Sequence, residues 1–212
     1  MFIDKCSVKL LYNEQSFIYL CSMRVRDEEK IPRIYKAAIK VINRDGFEGC
    51  SMAKIATEAE VCPATIYLYF ENKKDMLNKL FVHIKEGLAN SYFAANTELS
   101  VSKATFRKIY INYYQYIINN VEEFILTENY KNSPLIEMVD KEFRIDYCPV
   151  FESLFERSRK EKLLKELSND MLYSLLFSPL NYLLKKTVNN KSTLNTKDLM
   201  DIFDASWQAI SL

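Results

Sequence analysis

The sequence predicts an all-α protein, and three observations predict it. Only 3 Gly and 5 Pro occur in 212 residues, too few for the many turns that a sheet protein needs. Apolar residues recur at helical spacing from residue 31 almost to the C-terminus, and no alternating stretch marks a strand. Hydrophobic residues make up 49% of the chain, enough for a sizeable core and against long disorder. The pattern divides into about nine helices, with residues 24–75 as a small N-terminal domain, residues 76–212 as a larger helical one, and residues 1–23 as an extension.

Each element follows from local signals. Residues 1–22 carry no sustained period, and Met23 opens the charged stretch Arg24 to Lys30. Met23 therefore reads as the natural start and the preceding residues as an upstream translation, with a genuine arm as the alternative. Ile31, Ile34, Tyr35, Ala38, Ile39 and Ile42 fall on one helical face. Pro32 suits only a first turn, and Gly46 is a natural stop. Ser51 is an N-cap for a helix burying Met52, Ile55, Ala56 and Ala59. Pro63, a preferred first residue, opens a short helix running to Phe70.

Asn72 caps a longer helix that carries Met76, Leu77, Leu80, Phe81, Ile84 and Leu88 and runs to about Ala95. Phe106, Ile109, Tyr110, Tyr113, Tyr114 and Ile117 stripe the next, and Val121 to Tyr130 forms a shorter one. Asn132-Ser133-Pro134 marks a break, and helix then runs to about Leu164, interrupted near Pro149. Met171 to Leu184 is a long apolar helix in which Pro179 should produce a kink. The last helix presents Leu199, Ile202, Phe203, Ser206, Trp207 and Ile210 on one face.

Several function classes are excluded. Gly46, Gly49 and Gly87 cannot build a phosphate-cradling glycine loop. Five Cys without a C-x-x-C, and a single His, argue against zinc, and no cofactor or other metal is expected. No apolar run approaches the length that spans a bilayer, so no membrane partner is expected. Free thiols suit a cytoplasmic protein. With His83 as the lone histidine, no catalytic constellation forms, and the chain does not read as an enzyme.

The functional signal is the stretch Ser51 to Phe70, two short helices with a tight turn, as a helix-turn-helix requires. Its second helix must bring its N-terminal end to base edges in the major groove, and Pro63, Ala64 and Thr65 are small enough to allow that. Tyr67 and Tyr69 carry hydroxyls suited to phosphates, and Lys73 sits at the start of the following helix, where its charge and the free N–H groups favour a phosphate. Charge alone does not suggest nucleic acid: residues 24–80 hold 11 Lys/Arg and 9 Asp/Glu.

Residues 31–77 resemble the DNA-binding domain of the TetR/AcrR family of bacterial regulators. Ile34, Ala37-Ala38, Gly46-Phe47, Ser51, Ile55-Ala56, Ala59, Val61, Thr65, Tyr67, Tyr69-Phe70, Lys73 and Leu77 carry the likeness. The resemblance implies that Ser51 and Met52 meet the DNA backbone and that Pro63, Ala64 and Thr65 meet bases or phosphates. It also implies that Tyr67 and Lys73 contact phosphates, with Tyr69 a mixed contact. Glu60 departs from the family pattern, standing where Gly is usual in the turn; a positive φ there would cost Glu about 1 kcal/mol. Cys62 stands where Ser is common as N-cap, a loss of about 1 kcal/mol. Its thiol reads either as a small buried group or as a redox-sensitive one.

The resemblance further implies a repressor that binds a double-stranded DNA operator as a homodimer through its last two helices, whose apolar faces look wide. A small-molecule effector would move the helix from Asn72 and release the DNA. Residues 106–155 hold 11 of the chain's 28 aromatics, in the region where the family builds its ligand pocket. Tyr110, Tyr113, Tyr114, Tyr147, Phe151 and Phe155 are the candidate ligand residues, for a largely apolar or aromatic molecule. Plain core packing is the competing explanation for them. Control by a protein partner is the alternative to a small molecule. His83 reads as an ordinary polar position and Trp207 as interface or core.

Overall fold

Among the described residues, the helix-favouring pattern becomes helix. The computed structural model describes residues 30–92, 100–131, 149–190 and 192–212. Among the described residues there are nine helices: α1 (Lys30–Gly49), α2 (Met52–Glu58), α3 (Pro63–Ile66), α4 (Lys73–Tyr92), α5 (Lys103–Asn119), α6 (Val121–Lys131), α7 (Pro149–Lys160), α8 (Asn169–Asn189) and α9 (Thr196–Ile210). The extension at 1–23, the break at residues 132–134, the helix expected from there to residue 148 and the end of the fourth helix near Ala95 lie outside the described residues.

The expected caps at Ser51 and Asn72 form, and others join them. Ser51, Ser102, Ser168 and Asn195 each accept from a backbone N–H three residues on, and the Asn72 side chain accepts from Asp75 N–H at 3.0 Å. Gly46 breaks the regular part of α1 with φ 73° and ψ 172°, a conformation that Gly adopts without steric cost. One expectation changes. The second helix of the motif is regular only over Pro63–Ile66, with Tyr67 as C-cap, because the chain turns so that Tyr69 and Phe70 reach the core. Helix α8 runs through Pro179 as one element, and the proline lies on its exposed side.

Two apolar cores organise the molecule. The N-terminal core gathers Ile34, Ala38, Ile55, Ala56, Ile66, Met76 and Leu80, all fully buried. The C-terminal core is built on Phe106, Tyr110, Phe155, Phe177, Phe203 and Trp207. Two helices serve both. In α4, Met76 to Ile84 belong to the first core and Tyr92 to the second. In α6, Phe124 packs in the second while Leu126 and Tyr130 pack in the first. The N-terminal packing unit is therefore larger than the sequence interval 24–75. At the far end, the chain after α7 pairs with the C-terminus: Lys165 N–H donates to Ile210 O at 2.8 Å and Leu212 N–H to Leu163 O at 3.2 Å.

Candidate nucleic-acid interface

The surface formed by α2 and α3 is set by what lies beneath it. Ile55 and Ala56 are completely buried, and the small Ala56 lets α2 pack closely among its neighbours. The turn follows at once: Val61 N–H donates to Ala56 O at 3.0 Å, and Glu60 takes φ 55°. That is the left-handed region where a non-glycine residue is strained, as its position in the motif predicts. The Glu60 carboxylate lies outward, 4.0 Å from Arg33, whose guanidinium also donates to Ala59 O at 2.9 Å. Cys62 is the N-cap of α3 and its thiol makes no capping bond. The thiol is exposed, which corrects the reading of a small buried group.

The candidate DNA residues divide into two sets. Ser51, Pro63, Ala64 and Tyr67 are exposed, Tyr67 by 59%. Met52, Thr65 and Tyr69 are buried. Their positions on the helices turn them inward, so as side chains they support the exposed set and do not present themselves to a ligand. Lys73 also departs from expectation. It is half-buried, and its ammonium donates to Phe47 O and, at 2.7 Å, to Cys50 O. A charged donor there satisfies the carbonyls where α1 gives way to α2, so Lys73 fastens the two helices and is already engaged. Lys79 does similar work further along α4, donating to Tyr69 O at 3.1 Å and lying 5.5 Å from the centre of the Phe70 ring.

One residue that sequence reasoning missed joins the exposed set. Leu68 is 45% exposed. Its spacing of four from Ala64 was the available signal, but a leucine between two aromatics reads as core.

Charge across this face is nearly balanced. Arg44 pairs with Asp45 at 2.8 Å and Glu58 at 3.2 Å, and Lys54 with Asp45 at 2.8 Å. Hydrogen bonds from Arg44 and Lys54 hold the Asp45 carboxyl down at about 2.

The candidate effector residues are packed. Tyr110, Tyr113, Tyr114, Phe151 and Phe155 are all buried; Tyr147 lies outside the described residues. The Tyr113 hydroxyl donates to Asn181 Oδ1 at 2.5 Å and that of Tyr114 to Leu194 O at 3.0 Å. Burial pushes the Tyr110 and Tyr113 phenols up. The Tyr110 hydroxyl and the nearby Ser206 hydroxyl have no hydrogen bond of good geometry. A small cavity of about 20 Å³ lies between α4, α5, α6 and α8, lined by Ile84, Leu88, Tyr113, Tyr116, Ile117, Glu123, Phe124, Thr127, Glu128 and Tyr173. Of the five described candidates, only Tyr113 reaches it. Tyr116 donates to Glu123 at 2.6 Å, and burial together with that carboxylate pushes its phenol up. A Cβ on Gly87 would stand 2.6 Å from the Tyr116 hydroxyl, so glycine leaves room for that hydroxyl against α4. His83 is exposed and stacks on Tyr35 at 4.8 Å; Trp207 is core.

A helix-turn-helix on a mainly aliphatic core, joined through shared helices to a ring-rich helical domain, defines a class: the DNA-binding transcription regulators with an N-terminal reading head. Residues 34–80 match the family model described as bacterial regulatory proteins, tetR family, and residues 102–211 match the model for the tetracyclin repressor-like C-terminal domain. The chain belongs to the TetR family of transcriptional regulators.

An uncharacterized HTH-type transcriptional regulator of Haemophilus influenzae is 27% identical over 193 residues, covering 89% of this chain and 99% of that protein. A TetR family regulator of Marinobacter aquaeolei superposes with a TM-score of 0.77 at 19% identity, over 89% of this chain and 99% of its own. The Bacillus subtilis regulator FadR, solved with stearoyl-CoA, has a TM-score of 0.64 at 20% identity over 84% of this chain and 95% of its own. These relatives are regulators and not enzymes. No helix among the described residues is long and apolar enough to cross a membrane.

Proposed function

We propose that this regulator is a dimeric repressor whose hold on a DNA operator is released by a small effector bound among α4, α5, α6 and α8. The observation that carries this reading is the position of Tyr130. It belongs to α6, yet its ring lies 4.6 Å from that of Phe47 at the end of α1 and 4.4 Å from that of Phe81 in α4. Nearby, Asn43 of α1 donates to Glu122 O at the start of α6 at 2.8 Å. A ligand that parts α5 and α6 therefore displaces the element against which α1 and α4 rest. A packed interface of this kind shifts between discrete arrangements and does not deform smoothly.

The exposed set Ser51, Pro63, Ala64 and Tyr67 is the DNA-facing surface in this reading. The dimer face is α8, where Met171, Leu175 and Tyr182 are exposed by 51%, 38% and 70%. Three large apolar side chains on one helix suit a two-fold partner. The wide apolar face expected on α9 lies mostly inside its own subunit, and Asp201, Asp204 and Gln208 stand on its outer side.

The cavity wall bears on effector chemistry. Glu123 and Glu128 line it, and no Lys, Arg or His does so among the described residues. A neutral or cationic, largely aromatic molecule fits that wall; the polyanionic head of a CoA ester does not. Control by a protein partner remains a second reading, favoured by the small volume, which holds about one water molecule.

The test is a selection of bound duplexes from a random pool, repeated with candidate effectors. Salt-dependent binding of a dimer, relieved by a small aromatic cation and unaffected by acyl-CoA, is the expected result. Binding that no small molecule relieves would favour the partner-controlled reading, and no recovered duplex would overturn operator binding altogether.

A further inference from the structure

The exposed side of the recognition turn is chemically unusual for a surface that meets DNA. From Cys62 to Leu68 the exposed side chains are Cys62, Pro63, Ala64, Tyr67 and Leu68. None is Arg, Lys, Asn, Gln, Asp or Glu. The major groove is usually read by two-pronged hydrogen bonds, from Arg or Lys to guanine and from Asn or Gln to adenine. This surface lacks both. The one base feature in the groove that an apolar side chain reads is the C5-methyl group of thymine.

We propose that the Pro63, Ala64, Tyr67 and Leu68 patch selects operators by packing against thymine methyl groups, with Leu68 as the principal specificity-determining residue. The inference rests on the reading above that α3 enters the major groove. Ala64 lies within α3 and Leu68 just past its C-cap Tyr67, and both side chains are open to solvent. Hydrogen-bonded turns continue past α3 and fix the chain that carries Leu68: Leu68 N–H donates to Thr65 O at 3.1 Å, and Tyr69 N–H and Phe70 N–H both donate to Ile66 O at 3.0 Å. Beneath the patch, Thr65 and Ile66 are buried, Ile66 completely, so the exposed residues ride on a fixed base. Leu68 and Tyr67 are two of the few large hydrophobic residues left open on the described surface. Leu68 is not needed to fill the core, and a methyl contact gives its exposure a use. The nearest carboxylates, Glu60 and Glu71, are exposed and flank the patch at either end. They discourage approach to phosphates there and leave the apolar centre to the bases.

The experiment starts from a duplex recovered by the selection described above. Each thymidine in a half-site is replaced singly by deoxyuridine, which removes one methyl group and leaves every hydrogen-bonding atom in place. Binding should weaken about fourfold at each contacted position, the equivalent of one buried carbon. Leu68→Ala, a change at a half-exposed site that leaves the fold intact, should bind the thymidine and deoxyuridine duplexes alike at the position that Leu68 covers.

Equal binding of every deoxyuridine duplex by the unaltered protein would overturn the inference while leaving operator binding in place. A deoxyuridine penalty that persists unchanged in Leu68→Ala would place the effect in the shape of the DNA, and would also overturn it. Failure to recover any duplex would bring down the underlying reading as well.

Discussion

The two cores solve different problems with different residues. The N-terminal core is mainly aliphatic, with Ile34, Ala38, Ile55, Ala56 and Ile66 shut off from solvent and its rings, among them Phe47, Phe70, Phe81 and Tyr130, in the minority. Its helix ends are fastened by Ser51, Asn72, Lys73 and Lys79. The C-terminal core is a stack of rings. Phe177 alone meets Tyr92, Tyr110, Tyr113, Phe151 and Tyr173 at centroid distances between 4.8 and 5.9 Å. It also encloses the two unsatisfied hydroxyls of Tyr110 and Ser206. Small side chains allow close approach and fix one pose, which a reading surface needs. The rings of the second core meet in offset and edge-to-face geometries, the arrangements that aromatic pairs prefer.

The largest expected effect tests the ring stack. Phe177→Ala should cost about 3–5 kcal/mol, as for other buried aromatic truncations, measured by urea unfolding. The single tryptophan, Trp207, reports on this core through its fluorescence, and circular dichroism reports on the whole chain. A loss below about 1 kcal/mol would mean that the rings repack around the gap, making this core more adaptable than its contacts suggest.

Next in size is Lys73→Met. It strips a charged donor from Phe47 O and Cys50 O and should cost about 1.5–3 kcal/mol, with no change in the salt dependence of DNA binding. A salt slope reduced by about one at unchanged stability would instead return Lys73 to the phosphate contacts. Glu60→Gly should raise stability by about 1 kcal/mol, because it relieves the left-handed backbone, and should tighten DNA binding by removing a carboxylate.

The smallest effect is electrostatic. The Asp45 carboxyl lies at about 2 against an ordinary 3.8, so its folded value is depressed. Its contribution to stability is complete above about pH 4 and is lost as the pH falls towards 2. Asp45→Asn should flatten the fall in melting temperature over that interval and leave neutral pH almost untouched. An unchanged acid limb would show that the Arg44 and Lys54 contacts are too exposed to matter.

Much of this architecture was legible in the sequence because the signals are local. Ser51, Asn72 and Gly46 act within a turn of themselves, and the stripe from Phe106 to Ile117 is buried as its spacing requires. The strain at Glu60 and the missing cap at Cys62 were legible for the same reason. The illegible part depends on which way a side chain points once helices meet. Thr65 and Tyr69 lie one or two residues from exposed Ala64, Tyr67 and Leu68, yet face the core. Lys73 finds its acceptors 26 and 23 residues earlier in the chain, a distance that no periodicity reaches. Helix α6 was expected as an element, but its division between two cores was not, since Phe124, Leu126 and Tyr130 form no single stripe.

That division has a consequence for how the chain is made. Ribosomes release the DNA-reading helices long before α6. Until Tyr130 has emerged, the rings of Phe47 and Phe81 lack the partner that covers them. The reading head of a nascent chain is thus completed only when part of the following domain has been synthesised. A shortened chain ending after α4 would leave that aromatic seam open to solvent and to chaperones.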